Sequence, residues 1–151
     1  MNKATVFDVA NYFVSFGKMT HKKLQKLCYY AQAWHLALLN EPLFNSEFEA
    51  WIHGPVCPEL YHEYKFYGWQ DIPQKDFQNK YLSEKTLIIL EAVCETYNHF
   101  TGDELELLTH SEEPWKSSRG SLEEWEPSCE IIPKKMMKEY YKKVYEQEQN
   151  D

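Results

Sequence analysis

Between Thr20 and Leu39 the chain carries apolar and aromatic residues around too much of one helix for that helix to lie at a surface. Thr20 can cap it. Leu24, Leu27, Cys28, Ala31, His35 and Leu38 then fall on one stripe of helical period, and Tyr30 and Trp34 widen it. A helix with so broad an apolar face must be covered from more than one side. Residues 21–39 are therefore expected to be the central strut of the fold.

The flanking segments supply that cover. Thr5 can cap a first helix over 6–16, with Val6, Val9, Ala10, Phe13 and Val14 at helical spacing and Gly17 as its stop. After Asn40-Glu41-Pro42, Phe48, Ala50 and Ile52 alternate with Glu49, Trp51 and His53. This predicts a short β-element near residues 44–53, ended by Gly54-Pro55. Pro58 opens a third helix carrying Leu60, Tyr61, Tyr64 and Tyr67, and Gly68 stops it. Residues 69–81 read as a polar loop holding Trp69, Ile72 and Phe77.

Ser83 begins a helix with Leu87, Leu90, Val93, Cys94 and Tyr97 on one side. Thr101-Gly102-Asp103-Glu104 has the form of a capping box for a short helix reaching His110. Pro114-Trp115 and Ser117-Ser118-Arg119-Gly120 read as loop, and Ile132-Pro133 opens a last helix whose tail, Glu146 to Asp151, is expected to fray. The expectation is a mainly α, single compact domain over 1–151, its core within 5–145, with about six helices and the one β-element.

The charge balance, 16 Lys plus Arg against 24 Asp plus Glu, disfavours nucleic acid unless a local patch overcomes the overall field. Lys18, Lys22, Lys23 and Lys26 form such a cluster, although Lys22 and Lys26, four apart, also fit the solvated face of a buried helix. The acidic second half, with Glu112, Glu113, Glu123 and Glu124, is the better candidate for receiving a basic protein partner. Trp69 and Trp125, in loop contexts, are candidate anchors of such a contact. Trp51 and Trp115 adjoin proline-fixed turns and are expected to pack.

Chemistry finds little support. His35, His53, His62 and His110 with Cys57 could form a zinc site in principle, but no HxxxH, HExxH or CxxC spacing occurs. His35 lies on the apolar stripe and should be a satisfied core residue, while His110 sits where a cation would complement a helix dipole. Cys57 or Cys28 would need a histidine and a carboxylate beside it to act as nucleophile. Five glycines leave no phosphate-binding loop. No catalytic residue, metal or cofactor is expected. The four cysteines without a CxxC pair, and an N-terminus with no secretory pattern, fit a reducing cytoplasm, and no apolar run is long enough to span a bilayer.

Three ordered segments carry a family resemblance. They are Leu24-Gln25-Lys26-Leu27 with Tyr29-Tyr30 and Trp34-His35; Trp51 followed by Gly54-Pro55; and Leu108-Thr109-His110 with Pro114-Trp115. On these residues the chain resembles the SocA-like, or Panacea, antitoxin domain family, which includes phage-associated proteins called GepA. The resemblance implies a cytoplasmic, bacterial or phage-encoded, non-enzymatic protein that binds and neutralises a cognate toxin. Delivery of the toxin to a bacterial protease is the alternative it implies. Apart from the resemblance, a metal- or thiol-dependent enzyme using His53, Cys57 or His110 is a further alternative. The motif residues themselves are expected to be mostly scaffold.

Overall fold

The computed structural model describes residues 3–150. In chain order its elements are α1 (Val6–Val14), α2 (His21–Leu39), β1 (Glu49–Trp51), β2 (Gly54–Val56), α3 (Pro58–Tyr64) with a 3-10 turn over Lys65–Tyr67, α4 (Glu84–Tyr97), α5 (Gly102–His110), α6 (Glu113–Arg119) and α7 (Lys134–Asn150).

The strut forms where the sequence places it. Thr20 Oγ1 accepts from the Lys23 amide, and Asn40, at φ 64°, turns the chain out of the helix in the left-handed region. Buried residues occur on every side of α2, which is packed by α1, α4, α5, α7, α3 and the hairpin strand β2. Its two buried glutamines are satisfied by loop backbone, as burial demands. Gln25 accepts from the Cys57 amide at 2.8 Å and donates to the Cys57 carbonyl at 3.0 Å. Gln32 does the same for the Leu43 amide and the Phe44 carbonyl, both at 2.7 Å. His35 is held between the Glu41 carbonyl and the Thr86 hydroxyl, at 2.8 and 2.9 Å.

The expected caps are present: Thr5 and Thr101 each form a reciprocal capping box, with Asp8 and Glu104, and Ser83 caps α4. Four expectations are corrected. Gly54-Pro55 does not end the β-element but forms its second strand, with Trp51 paired to Gly54 and Glu49 to Val56. The segment at Pro114-Trp115 is a helix, α6, rather than a loop, so the described residues contain seven α-helices. A proline at the start of α6 suits its first turn, where the lost donor has no helical partner. Residues 146–150 continue α7 as regular helix, with Asp151 outside the described residues. Lys26 is not on a solvated face; it is 1% exposed, because the hairpin lies over that side of α2.

Two long loops are pinned by backbone bonds. Ile72 exchanges both of its backbone bonds with Met19, which holds the 69–81 segment against the start of α2. The Ala50 amide donates to the Glu130 carbonyl and the Ile132 amide to the Phe48 carbonyl, each at 2.8 Å. This lays the 120–133 loop beside β1. No helix among the described residues is long and apolar enough to cross a membrane.

Candidate functional site

The three motif segments, far apart in sequence, meet on one side of α2. Trp115 is 2% exposed; its indole N–H donates to the Trp51 carbonyl at 2.8 Å, and its ring stacks on His110 with centroids 3.8 Å apart. Gly54 sits where a Cβ would come within 2.7 Å of Lys26 Cε and 3.0 Å of Thr109 Oγ1. Glycine is needed there for space, and its φ of +108° is also one that side chains rarely adopt. Arg119, read from sequence as part of a loop, is buried over the Trp115 ring with its guanidinium 4.7 Å from the centroid. It donates to the Ala50 carbonyl at 2.8 Å, and to the carbonyls of Glu123, Glu124 and Glu126.

Outside this knot lies a cleft of about 570 Å³ between α2, the hairpin, α3 and the start of α5. Its aromatic walls are Trp51, Tyr61 and Trp69, with the first two rings edge to face at 5.0 Å. Trp69 is 91% exposed at the rim. Lys26 lines the cleft from the helix side, and its amine has a single hydrogen-bond partner, the Pro55 carbonyl at 3.4 Å. Burial favours the neutral amine and Lys22 adds repulsion, which together bring the pKa down to about 7 despite the opposing charge of Glu106.

Lys22, one turn earlier, behaves oppositely. Its partial burial disfavours the charge, but ion pairs with Asp103 at 2.8 Å and with Glu106 more than offset this, and its pKa is raised. His53 reaches the same Glu106 at 3.2 Å. Lys22 is paired, Lys23 donates to the Asn98 carbonyl and Lys26 is buried, so these three lysines do not form the free basic patch that nucleic acid would need. Among the described residues no cluster of His, Cys, Asp or Glu could hold a metal ion. Cys28 and Cys57 are buried, and burial pushes both thiols up, away from the reactive thiolate. His110 is not poised as a cation: burial lowers its pKa, and its Nε2 is buried without a hydrogen-bond partner.

The candidate contact residues separate. Trp69, Trp125, Glu113, Glu123 and Glu124 are exposed. Glu112 is turned inward, where Oε1 accepts from the Tyr30 and Tyr141 hydroxyls at 2.7 and 2.8 Å. It closes a buried tyrosine cluster in which Tyr29 lies 3.1 Å from the Tyr141 hydroxyl and Tyr30 stacks on Tyr97 at 4.0 Å. Trp34 donates its indole N–H to the Tyr97 hydroxyl at 2.8 Å.

Burial raises the Glu112 pKa, so in the window above the usual 4.5 the folded chain binds more protons than the unfolded one. Stability should then fall as pH rises through that window. Glu112→Gln keeps the acceptor oxygen and should remove this fall, with stability near pH 7 equal to or above that of the parent. Glu112→Ala leaves two hydroxyls without an acceptor and should cost about 1–3 kcal/mol. Urea unfolding at pH 5 and pH 7.5 measures both effects, and a fall that persists in Glu112→Gln would assign it elsewhere.

Residues 24–116, the stretch that contains all three motif segments, match the family described as Antitoxin SocA-like, Panacea domain. The chain belongs to this family. A similar relative is Antitoxin SocA of Caulobacter vibrioides (strain NA1000 / CB15N), 28% identical over 127 residues that cover 76% of this chain. The match covers 63% of that relative's length. No solved structure matches the chain. Physically, the Panacea motif is a knot that seats the hairpin and α6 on the strut. Arg119 and α7 complete it from beyond the matched stretch.

Proposed function

We propose that this chain is an antitoxin that neutralises a cognate toxin by direct protein contact, without catalysis. Membership of the SocA-like Panacea family carries this reading. Large apolar residues left uncovered beside the cleft agree with it. Phe66 is 77% and Trp69 91% exposed there. Aromatic residues at this exposure are the usual anchors of a protein interface. The acidic loop with Glu123, Glu124 and the 74%-exposed Trp125 supplies a second contact, suited to a basic patch.

Co-expression with the neighbouring reading frame tests this. That frame should be toxic alone, tolerated with this chain, and recovered in complex with it. A frame harmless alone, or toxic in both cases with no complex, overturns the reading. Rescue that disappears in a protease-deficient strain would instead show delivery to a protease.

Trp69→Ala should leave the Tm within about 2 °C of the parent, because the ring is exposed. It should weaken the toxin complex roughly 30-fold. Calorimetric binding alongside a thermal melt separates the two effects, and unchanged affinity would remove Trp69 from the interface.

A further inference from the structure

We propose that the cleft above Lys26 is an anion site that receives a carboxylate on an apolar stem, presented by the toxin partner as an acidic side chain or a chain terminus. This deepens the antitoxin reading and rests on it for the source of the carboxylate.

The floor is the first argument. A lysine ammonium has three donors, and the single contact of Lys26, at 3.4 Å, leaves it poorly satisfied in a site 1% exposed. Burying a charge so weakly paired costs stability. A methionine of similar shape would fill the same space without that cost, so the amine is best explained by a group that enters from outside. The other charges nearby do not serve it. Lys22 repels it, and Glu106, the nearest carboxylate of α5, is engaged by Lys22 and His53.

The walls give the rest of the chemistry. Trp51, Tyr61 and Trp69 line the cleft with ring surface, and its volume of about 570 Å³ admits a side chain with a short stretch of backbone. Of the other charges lining the cleft, Lys22 and Asp103 pair with each other at 2.8 Å, and Lys65 adds a further positive charge. An amine floor beneath aromatic walls selects an anion with an apolar stem over a neutral or cationic group. The site is thus locally cationic within a chain of net charge −8, and it accepts a different part of the partner from the acidic loop.

The probe is N-acetylphenylalanine, which has a carboxylate on an aromatic stem, with its neutral amide as control. Tryptophan fluorescence or two-dimensional NMR follows the titration. The acid should bind saturably and at least tenfold tighter than the amide at pH 6.5, with shifts at Trp51 and Trp69. Only the protonated amine attracts the carboxylate, so affinity should fall above pH 7 by up to about tenfold per unit. The charged and titratable groups that act on Lys26 are His21 and Lys22 of α2 and Glu106 and His110 of α5, and His53 of the hairpin reaches the site only through Glu106.

Lys26→Met should keep or raise the Tm and abolish the preference for acid over amide. Saturating acid should also weaken the toxin complex. Equal binding of acid and amide on the parent protein overturns the proposal without recourse to any variant. Acid that binds yet leaves the toxin affinity unchanged also overturns it. A neighbouring frame that proves harmless removes the antitoxin reading instead, and the acid titration is independent of that result.

Discussion

Arg119→Met is expected to lower stability by about 3 kcal/mol. The guanidinium is 4% exposed and serves four carbonyls, one on β1 and three in the loop that follows α6. Methionine preserves the packing over Trp115 but donates nothing. The Glu123 and Glu124 carbonyls, in exposed residues, can turn to water, whereas the Ala50 carbonyl is buried and takes the full penalty of losing its donor. In a chain of this size the loss corresponds to a fall in Tm of roughly 10 °C. Arg119→Lys keeps the charge without the fork and should recover less than half of the loss. Cleavage by a glutamate-specific protease between residues 120 and 133 should accelerate in both variants. A Tm change below about 2 °C would show that Arg119 does not anchor the loop.

Gly54→Ala combines two costs at one atom. The backbone there has a φ of +108°, a conformation that costs an L-residue about 1–3 kcal/mol. The added methyl would also stand 2.7 Å from Lys26 Cε and 3.0 Å from Thr109 Oγ1, an overlap worth about 1–3 kcal/mol. The expected total is about 4 kcal/mol, read from urea unfolding. A Lys26→Ala background should return the share of the steric part that Lys26 causes and leave the Thr109 contact and the backbone part, because it removes the closest atom and does not alter φ. If the background returns nothing, Lys26 is not what Gly54 makes room for.

What the sequence disclosed and what it hid divide along physical lines. Thr20, Ser83 and the Thr101–Glu104 box were readable because a cap is satisfied within one turn of itself. The breadth of the α2 stripe announced a helix covered from several sides, and Trp69 and Trp125 are exposed. By contrast α6, seven residues with a proline and two serines, carries little local propensity. It is held by Trp115 and Arg119, whose partners lie on β1 and in the next loop, so no window of sequence around it contains the reason it is helical.

Lys26 misled for a related reason. Its spacing from Lys22 is that of a solvated pair, and only the hairpin, more than twenty residues later, decides that one lysine is covered and the other is not. Glu112 sits in an acidic run whose other members face water, yet the hydroxyls that turn it inward come from α2 and α7. The three motif segments could be recognised as a set without their purpose being visible. In the fold they are brought into contact with one another.

The extensive packing of α7 on α2 has a consequence for synthesis. Tyr141 and Met137, two of the residues that close the strut, are made roughly 100 residues after it, so at about 5–20 residues per second the aromatic side of α2 waits several seconds for its cover. During that interval the nascent chain presents Tyr29, Tyr30 and Trp34 without their final neighbours. Termination between residues 117 and 133 would make the exposure permanent, and such products should be aggregating or rapidly degraded species even though they contain the entire family match.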